Sequence, residues 1–271
     1  MKQDPPSISS SLYERYELKF AVPLHMVEAI SDFCSVYCRP DAYSEASVTG
    51  FYTVNSLYLD TPNYMFLHKR LAGSENRFNM RVRTYGDETI PCFLEIKQKR
   101  VNIVLKYRAR TTDECWHHML EMPGYTNCSG GGPQGELQTD LFYRVAYTHN
   151  VKPVVLTRYQ RRAYESVVDE YARITIDMNM RCQPAADYTL IPDEKQLVPY
   201  DNSTVFEPEC NVVLEMKCYS TRVPYWMIDM IRSFNLQRRS FSKYVFSITE
   251  VLSRFKHESS YRKTSIAEVL K

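Results

Sequence analysis

The stretch Arg77-Phe78-Asn79-Met80-Arg81-Val82-Arg83 decides how this chain folds. Strand side chains alternate between faces, so Arg77, Asn79, Arg81 and Arg83 fall on one side and Phe78, Met80 and Val82 on the other. The neighbouring segments repeat the split. Phe93 to Lys99 places Glu95, Lys97 and Lys99 together, Leu105 to Arg110 aligns Lys106, Arg108 and Arg110, and Arg15, Glu17 and Lys19 share a phase. Farther along, Tyr159 goes with Arg161, Arg173 with Thr175 and Asp177, and Glu215 with Lys217, the last two sets against apolar Ile174, Ile176, Leu214 and Met216.

Eight segments read as strands on this period of two: 13–20, 52–60, 77–85, 91–99, 102–110, 154–165, 171–178 and 211–218. Gly86-Asp87 and Val168-Asp169-Glu170 mark hairpin turns, and a weaker signal lies near Arg100-Val101-Asn102. A helix over 23–38 begins with Pro23 in its first turn, and one over 61–72 begins with Thr61-Pro62, a cap followed by a first-turn proline. Further helices are expected over 112–121, 138–148, 223–236 and 243–254. Residues 123–135 hold five of the eight glycines and read as a loop; no Gly-Lys-Ser/Thr ending marks it as a phosphate cradle.

A sheet with one face in water would explain the alternation on any single strand. The set points elsewhere. Its polar faces are rich in Arg and Lys with little Ser, Thr or Gln, and several amphipathic helices are available to cover the apolar faces. With helices outside, the ionic faces point inward. An eight-stranded barrel encloses only side chains or one small ligand, and many cations packed there repel one another without a polyanion. The expected fold is therefore α+β, a closed eight-stranded antiparallel β-barrel with helices packed on the outside, and its lumen is a tunnel for phosphates. Arginine supplies planar bidentate donors to phosphate oxygens and lysine a compact charge. Glu215, then Glu17 and Glu95, are the carboxylates placed to hold Mg²⁺ or Mn²⁺; each can instead hold a lysine in an ion pair, a reading that weighs at least as much for Glu95.

Composition bounds the rest. The 271 residues fit one large domain, and 44% hydrophobic with 24% charged residues is the balance of a globular chain. A formal charge of +2 gives no general attraction to nucleic acid or anionic lipid, so an anion site must come from local clustering. No apolar run approaches the roughly 20 residues that span a bilayer, and the first residues lack the apolar core of a signal peptide. The eight cysteines include no Cys-x-x-Cys pair and read as reduced cytosolic thiols, with Cys34 and Cys38 a buried pair on one helix. His117-His118 belongs to no His-Glu-x-x-His pattern, so a zinc site there carries little weight. The expected organisation is an N-terminal arm over 1–11, one domain over 12–256 and a tail over 257–271, in the cytoplasm.

Nine motifs in chain order resemble a known family: Glu17-Leu18-Lys19, Tyr58-Leu59-Asp60-Thr61-Pro62, Arg81-Val82-Arg83, Leu94-Glu95-Ile96-Lys97, Lys106-Tyr107-Arg108, Tyr159-Gln160-Arg161, Arg173-Ile174-Thr175-Ile176-Asp177, Leu214-Glu215-Met216-Lys217 and Phe241-Ser242-Lys243-Tyr244. They are similar to those of the triphosphate tunnel metalloenzymes and, through the Phe-Ser-Lys-Tyr ending, of the catalytic domain of the vacuolar transporter chaperone (VTC) polyphosphate polymerases. The resemblance implies transfer of the terminal phosphoryl group of ATP onto a growing inorganic polyphosphate chain, with Mn²⁺ or Mg²⁺ as cofactor. It assigns Lys19, Arg81, Arg83, Lys97, Lys106 and Arg161 to the triphosphate and the product chain. Tyr159, Ser242 and Lys243 become further phosphate contacts, Lys243 counted among the catalytic cations, and Glu215 the metal ligand. Arg108, Arg173 and Glu17 complete the expected substrate-binding set.

One departure matters: Arg15 stands where the wider superfamily has the first Glu of Glu-x-Glu-x-Lys, which makes a two-metal hydrolase a weaker expectation. The chain also leaves no room for a phosphate-sensing helical domain or membrane helices, so contact with a membrane is expected through a separate membrane-protein partner. Two alternatives stand beside the polymerase: a tripolyphosphate or nucleoside triphosphate hydrolase, and a non-catalytic module that binds polyphosphate or a nucleotide.

Overall fold

A computed structural model describes residues 15–100, 103–122, 132–201, 211–219 and 223–258. The expected arm over 1–11, most of the glycine-rich loop and the tail beyond 258 lie outside them.

In chain order the elements are β1 (Arg15–Val22), α1 (Val27–Tyr37), β2 (Cys38–Pro40), α2 (Ala42–Ala46), β3 (Tyr52–Asp60), α3 (Met65–Leu71), β4 (Asn76–Tyr85), β5 (Cys92–Arg100) and β6 (Ile103–Thr111). They continue with α4 (His118–Glu121), α5 (Gly132–His149), β7 (Lys152–Ser166), β8 (Ala172–Pro184), β9 (Val198–Pro199), β10 (Val212–Tyr219), α6 (Tyr225–Ser233) and α7 (Lys243–Glu258). All eight expected strands are present, and they alone make up the main path of the sheet, β1-β10-β8-β7-β3-β4-β5-β6, entirely antiparallel along the path. The short β2 and β9 pair off this path with β7 and β8.

Hydrogen bonds do not close the sheet. Among the described residues its edge strands β1 and β6 are not paired with each other, so the architecture is a curled antiparallel sheet rather than a hydrogen-bonded barrel. Side chains span the concavity instead: Lys97 of β5 meets Glu17 of β1 at 2.9 Å.

The convex face is apolar and carries two helical layers. Val27, Ile30 and Cys34 of α1 and Trp226, Met227 and Met230 of α6 pack on Phe20, Ile174, Ile176, Leu214 and Met216. Phe142, Tyr143 and Ala146 of α5, with Trp116, pack on Leu57, Met80, Val82, Leu94 and Ile96. Each fully buried aliphatic or aromatic side chain there contributes roughly 1.5–3 kcal/mol, which fixes the ionic residues of the same strands on the other face. Cys34 and Cys38 are buried free thiols, and burial pushes the Cys38 thiol up to about 12.

One helix corrects the expectation that helices pack only outside. Phe241, together with Tyr244, Ile248 and Val251 of α7, packs with Tyr58, Val155, Tyr159, Met180, Cys182 and Val213, all on the concave side. The cause is local: β7 and β8 run past the end of β10, and this extension presents apolar residues inward that need cover. A second difference concerns α3, which begins at Met65 and not at Thr61. Asp60 accepts from the backbone N–H groups of Phe66 (2.9 Å) and Leu67 (3.0 Å), while Thr61 Oγ1 accepts from that of Met65 (2.8 Å). The Asp60-Thr61 pair thus caps the helix from the strand end, and Pro62 lies in the intervening turn. Tyr244 Oη also donates to Asp60, tying α7 to the same corner.

No helix among the described residues is long and apolar enough to cross a membrane.

Candidate functional site

The concave face is built by register. Antiparallel pairing sets Arg81 opposite Glu95, Glu95 opposite Arg108 and Lys97 opposite Lys106, so β4, β5 and β6 bring their charges to one level. Glu95 is 2% exposed and takes Arg81 at 2.6 Å, Lys106 at 2.9 Å, Arg108 at 3.4 Å and Arg83 at 3.8 Å. Burial alone would raise its pKa; Arg81, Arg83 and Lys106 overcome that and hold it well below the usual carboxylate range. One carboxylate therefore orients four cations.

A second group forms where β7, β8 and α7 meet. Asp177, 0% exposed, receives two hydrogen bonds from Arg161, at 2.6 and 2.7 Å, and one from Lys243 at 2.5 Å. Burial opposes its charge, and Arg161 and Lys243 override the cost, keeping Asp177 ionised. Tyr159 lies between these cations, with Lys243 Nζ 4.7 Å and the Arg161 guanidinium carbon 5.3 Å from its ring centroid.

The third group joins the two ends of the sheet path. Glu17 pairs with Lys19 and Lys97, each at 2.9 Å, and Glu215 pairs with Lys217 at 3.1 Å. Glu17 and Glu215 are diagonal neighbours in the β1–β10 register, close enough for their carboxyls to interact. Burial and the neighbouring Glu215 push Glu17 up, while Lys19 and Lys97 pull it below its ordinary value. Glu215 is opposed by burial and held well below the carboxylate range by Lys217 and Lys19. Two charged carboxylates side by side in a partly desolvated site form an oxygen donor set for a hard divalent cation.

Lys19, Arg81, Arg83, Lys97, Lys106, Arg108, Arg161, Lys243, Tyr159, Glu17 and Glu215 thus share one concavity. Arg173 sits at its rim, 2.8 Å from Asp41 and 3.4 Å from Glu165. Ser242 lines a cavity of about 280 Å³ near the start of α7, with Arg70, Arg77 and Ser240.

Three residues that the sequence reading left without a role belong here. Asp177 was visible in phase on its strand, but only the fold reveals that it anchors two cations from different elements. Tyr58 Oη accepts from Arg81 at 3.4 Å; burial raises its pKa, and Arg81 and Arg83 bring it below the ordinary phenol value. Arg70, in the last turn of α3, resembles a helix-end cation in the sequence. Away from the concavity, ligand atoms of His117, His118 and Glu121 lie within 4.8 Å of one another, a grouping that adjacency in sequence alone did not indicate.

The chain matches the model of the VTC domain over residues 14–252. No curated protein matches it. Solved structures similar to it include a Hippeastrum protein named as an adenylyl cyclase and described as having a dominant triphosphatase activity; it is 14% identical, with 87% of this chain and 95% of that one covered and a TM-score of 0.45. A Bacillus halodurans protein described under adenylate cyclase is 11% identical, with 84% and 95% covered and a TM-score of 0.43. A Pyrococcus horikoshii protein is 10% identical, with 89% and 99% covered and a TM-score of 0.43. With the family model spanning nearly the whole described chain, and the nine motifs falling within it, the protein belongs to the VTC domain family.

Proposed function

We propose that this protein is a metal-dependent polyphosphate polymerase that transfers the γ-phosphoryl group of ATP to a growing inorganic polyphosphate chain. The observation that carries the reading is the convergence of Arg81, Arg83, Lys106 and Arg108 on the single buried carboxylate Glu95, beside the Glu17 and Glu215 pair. In this reading the concavity is a tunnel, and side-chain bridges such as Lys97 to Glu17 close it where β1 and β6 lack hydrogen bonds.

Phosphoryl transfer asks little covalent chemistry of a protein; positioning and charge stabilisation do most of the work. Arg81, Arg83 and Arg161 are held in fixed orientations by Glu95 and Asp177, so they present guanidinium donors to non-bridging oxygens without reorganising first. Lys19, Lys97, Lys106 and Lys243 add compact charges, and Tyr159, Ser242, Arg108 and Arg173 complete the contacts along the chain. Glu215, with Glu17 beside it, would hold Mn²⁺ or Mg²⁺, which supplies neutralisation of phosphate oxygens. The acceptor is the terminal phosphate of polyphosphate, whose own charge is tolerated only because these cations surround it. A cytoplasmic location, one domain over 12–256 and hand-over of product to a membrane-protein partner belong to the same proposal.

The test is direct. Purified protein is incubated with ATP and Mn²⁺ or Mg²⁺, and the products are resolved by gel and phosphate assay. Long polyphosphate supports the proposal. Free phosphate without polymer identifies a hydrolase, and unchanged ATP with retained binding identifies a binding module.

A further inference from the structure

We propose that the concavity is directional: the base of a nucleoside triphosphate stacks at the mouth formed by Tyr43, Tyr52 and Tyr85, and the phosphate chain runs from there toward Arg70 and Arg77. The inference rests on the phosphate-tunnel reading above and adds the orientation of the substrate and the residue that distinguishes a nucleotide from bare phosphate.

The two ends differ in what they offer. At the first, the rings of Tyr43 and Tyr85 lie 4.6 Å apart between centroids, and those of Tyr43 and Tyr52 lie 5.2 Å apart. Phe93 extends the cluster 5.4 Å from Tyr85, and the Arg108 guanidinium lies 3.8 Å above the Phe93 ring. Tyr43 is 44% exposed, so this ring meets solvent while its neighbours pack behind it. Two of the three cations here have carboxylate partners: Arg108 is paired with Glu95 and donates to Tyr85 Oη at 3.0 Å, and Arg173 is paired with Asp41, while Arg110, opposite Phe93 in the register, lies exposed near Tyr43. Partnered charge beside an open aromatic face suits a base, because every base has a π-face that stacks independently of its identity.

At the opposite end the balance is reversed. Arg70 and Arg77 lie close enough to repel; Glu17 attracts Arg70 from farther off, but among the described residues neither arginine has a carboxylate within ion-pair distance. They line the cavity of about 280 Å³ that also holds Ser240 and Ser242. Phe246, the aromatic residue there, is already stacked on Phe241 at 4.9 Å. Two guanidinium groups facing one cavity without a paired carboxylate call for an anion.

Distance along the sheet agrees. Tyr85 lies two residues beyond Arg83 on β4, about 7 Å of strand, and Arg77 lies four residues before Arg81, about 13 Å. A triphosphate held at Arg81 and Arg83 therefore has its nucleoside near Tyr43 when its γ-phosphate points toward α7, and a longer phosphate chain reaches Arg77.

Calorimetry with two probes, ATP and inorganic tripolyphosphate, both with Mg²⁺, separates the possibilities. Tyr43→Ala is expected to weaken ATP about tenfold and to leave tripolyphosphate binding unchanged, which also reports an intact fold. Tyr43→Phe keeps the ring and is expected to keep ATP affinity. Equal losses for both probes, or no loss for ATP, would overturn the orientation while leaving the phosphate site standing. If wild-type protein binds neither probe, the functional reading falls and this inference falls with it.

Discussion

Lys97 of β5 and Glu17 of β1 form an ion pair at 2.9 Å although their strands lie near opposite ends of the sheet path. The pair shows that the sheet curls until its far strands are within side-chain reach, and it does so without a hydrogen bond between β1 and β6. The same carboxylate, Glu17, sits beside Glu215, so the contact that spans the concavity also borders the candidate metal site.

Because Lys97 is 45% exposed, its pair with Glu17 contributes little to folding, about 0–1 kcal/mol. Lys97→Ala is therefore expected to leave the melting temperature nearly unchanged while weakening tripolyphosphate. A large drop in thermal stability would mean that the bridge, and not apolar packing, holds the curl.

Asp177 is the opposite case. Asp177→Asn leaves Arg161 and Lys243 without their shared counter-charge in a buried setting, at a cost of about 3–5 kcal/mol in urea unfolding. The sign with pH follows. Asp177, Glu95 and Glu215 are all held below their unfolded values, so the stabilisation is complete above about pH 5 and lost as the pH falls through the lower folded values. Circular dichroism of an acid titration should show wild type losing stability below about pH 5 and the Asp177→Asn variant losing less over the same range.

Lys106 is brought down to about 7 by burial, with Arg81 and Arg83 adding repulsion and Glu95 opposing it. A bound polyanion favours the charged ammonium and moves this value back up. Triphosphate binding should accordingly take up a proton above about pH 7, and affinity should fall as the pH rises from about 7. Lys106→Arg, always charged, is expected to flatten the profile; calorimetry in buffers of different ionisation enthalpy counts the proton.

Glu215→Gln keeps the shape of the site and removes one of its two adjacent carboxylates. Mn²⁺ affinity measured without nucleotide should fall at least about tenfold, the scale typical even for loss of an outer-shell partner. An unchanged Mn²⁺ isotherm would place the cation elsewhere.

Arg81→Ala and Lys243→Ala each remove one charged hydrogen-bond donor, about 1.5–3 kcal/mol, and should weaken ATP roughly tenfold to a hundredfold. Glu95 retains Lys106, and Asp177 retains Arg161, so both variants should fold. Normal turnover by both would remove these residues from the site.

The eight strands were legible because alternation is local: each of Arg81, Glu95 and Lys106 declares its face through its apolar neighbours. The buried cores under α1, α5 and α6 followed from the same pattern. What was not legible depends on long-range pairing. Arg70 carries no strand phase and resembles a helix-end cation, and Asp177 looked like one more polar residue of β8. The position of α7 was hidden as well, since its apolar stripe says that it must be covered without saying by which face of the sheet.

The order of residues alone determined the strands, the side on which each charge falls and the resemblance to the VTC domain, because backbone geometry ties neighbours two apart to one face. Only the tertiary structure decided that β1 and β6 do not pair with each other among the described residues, that α7 enters the concave side, and that each carboxylate serves a particular set of cations. Those outcomes rest on distances between residues far apart in the chain, which sheet curvature and packing establish together.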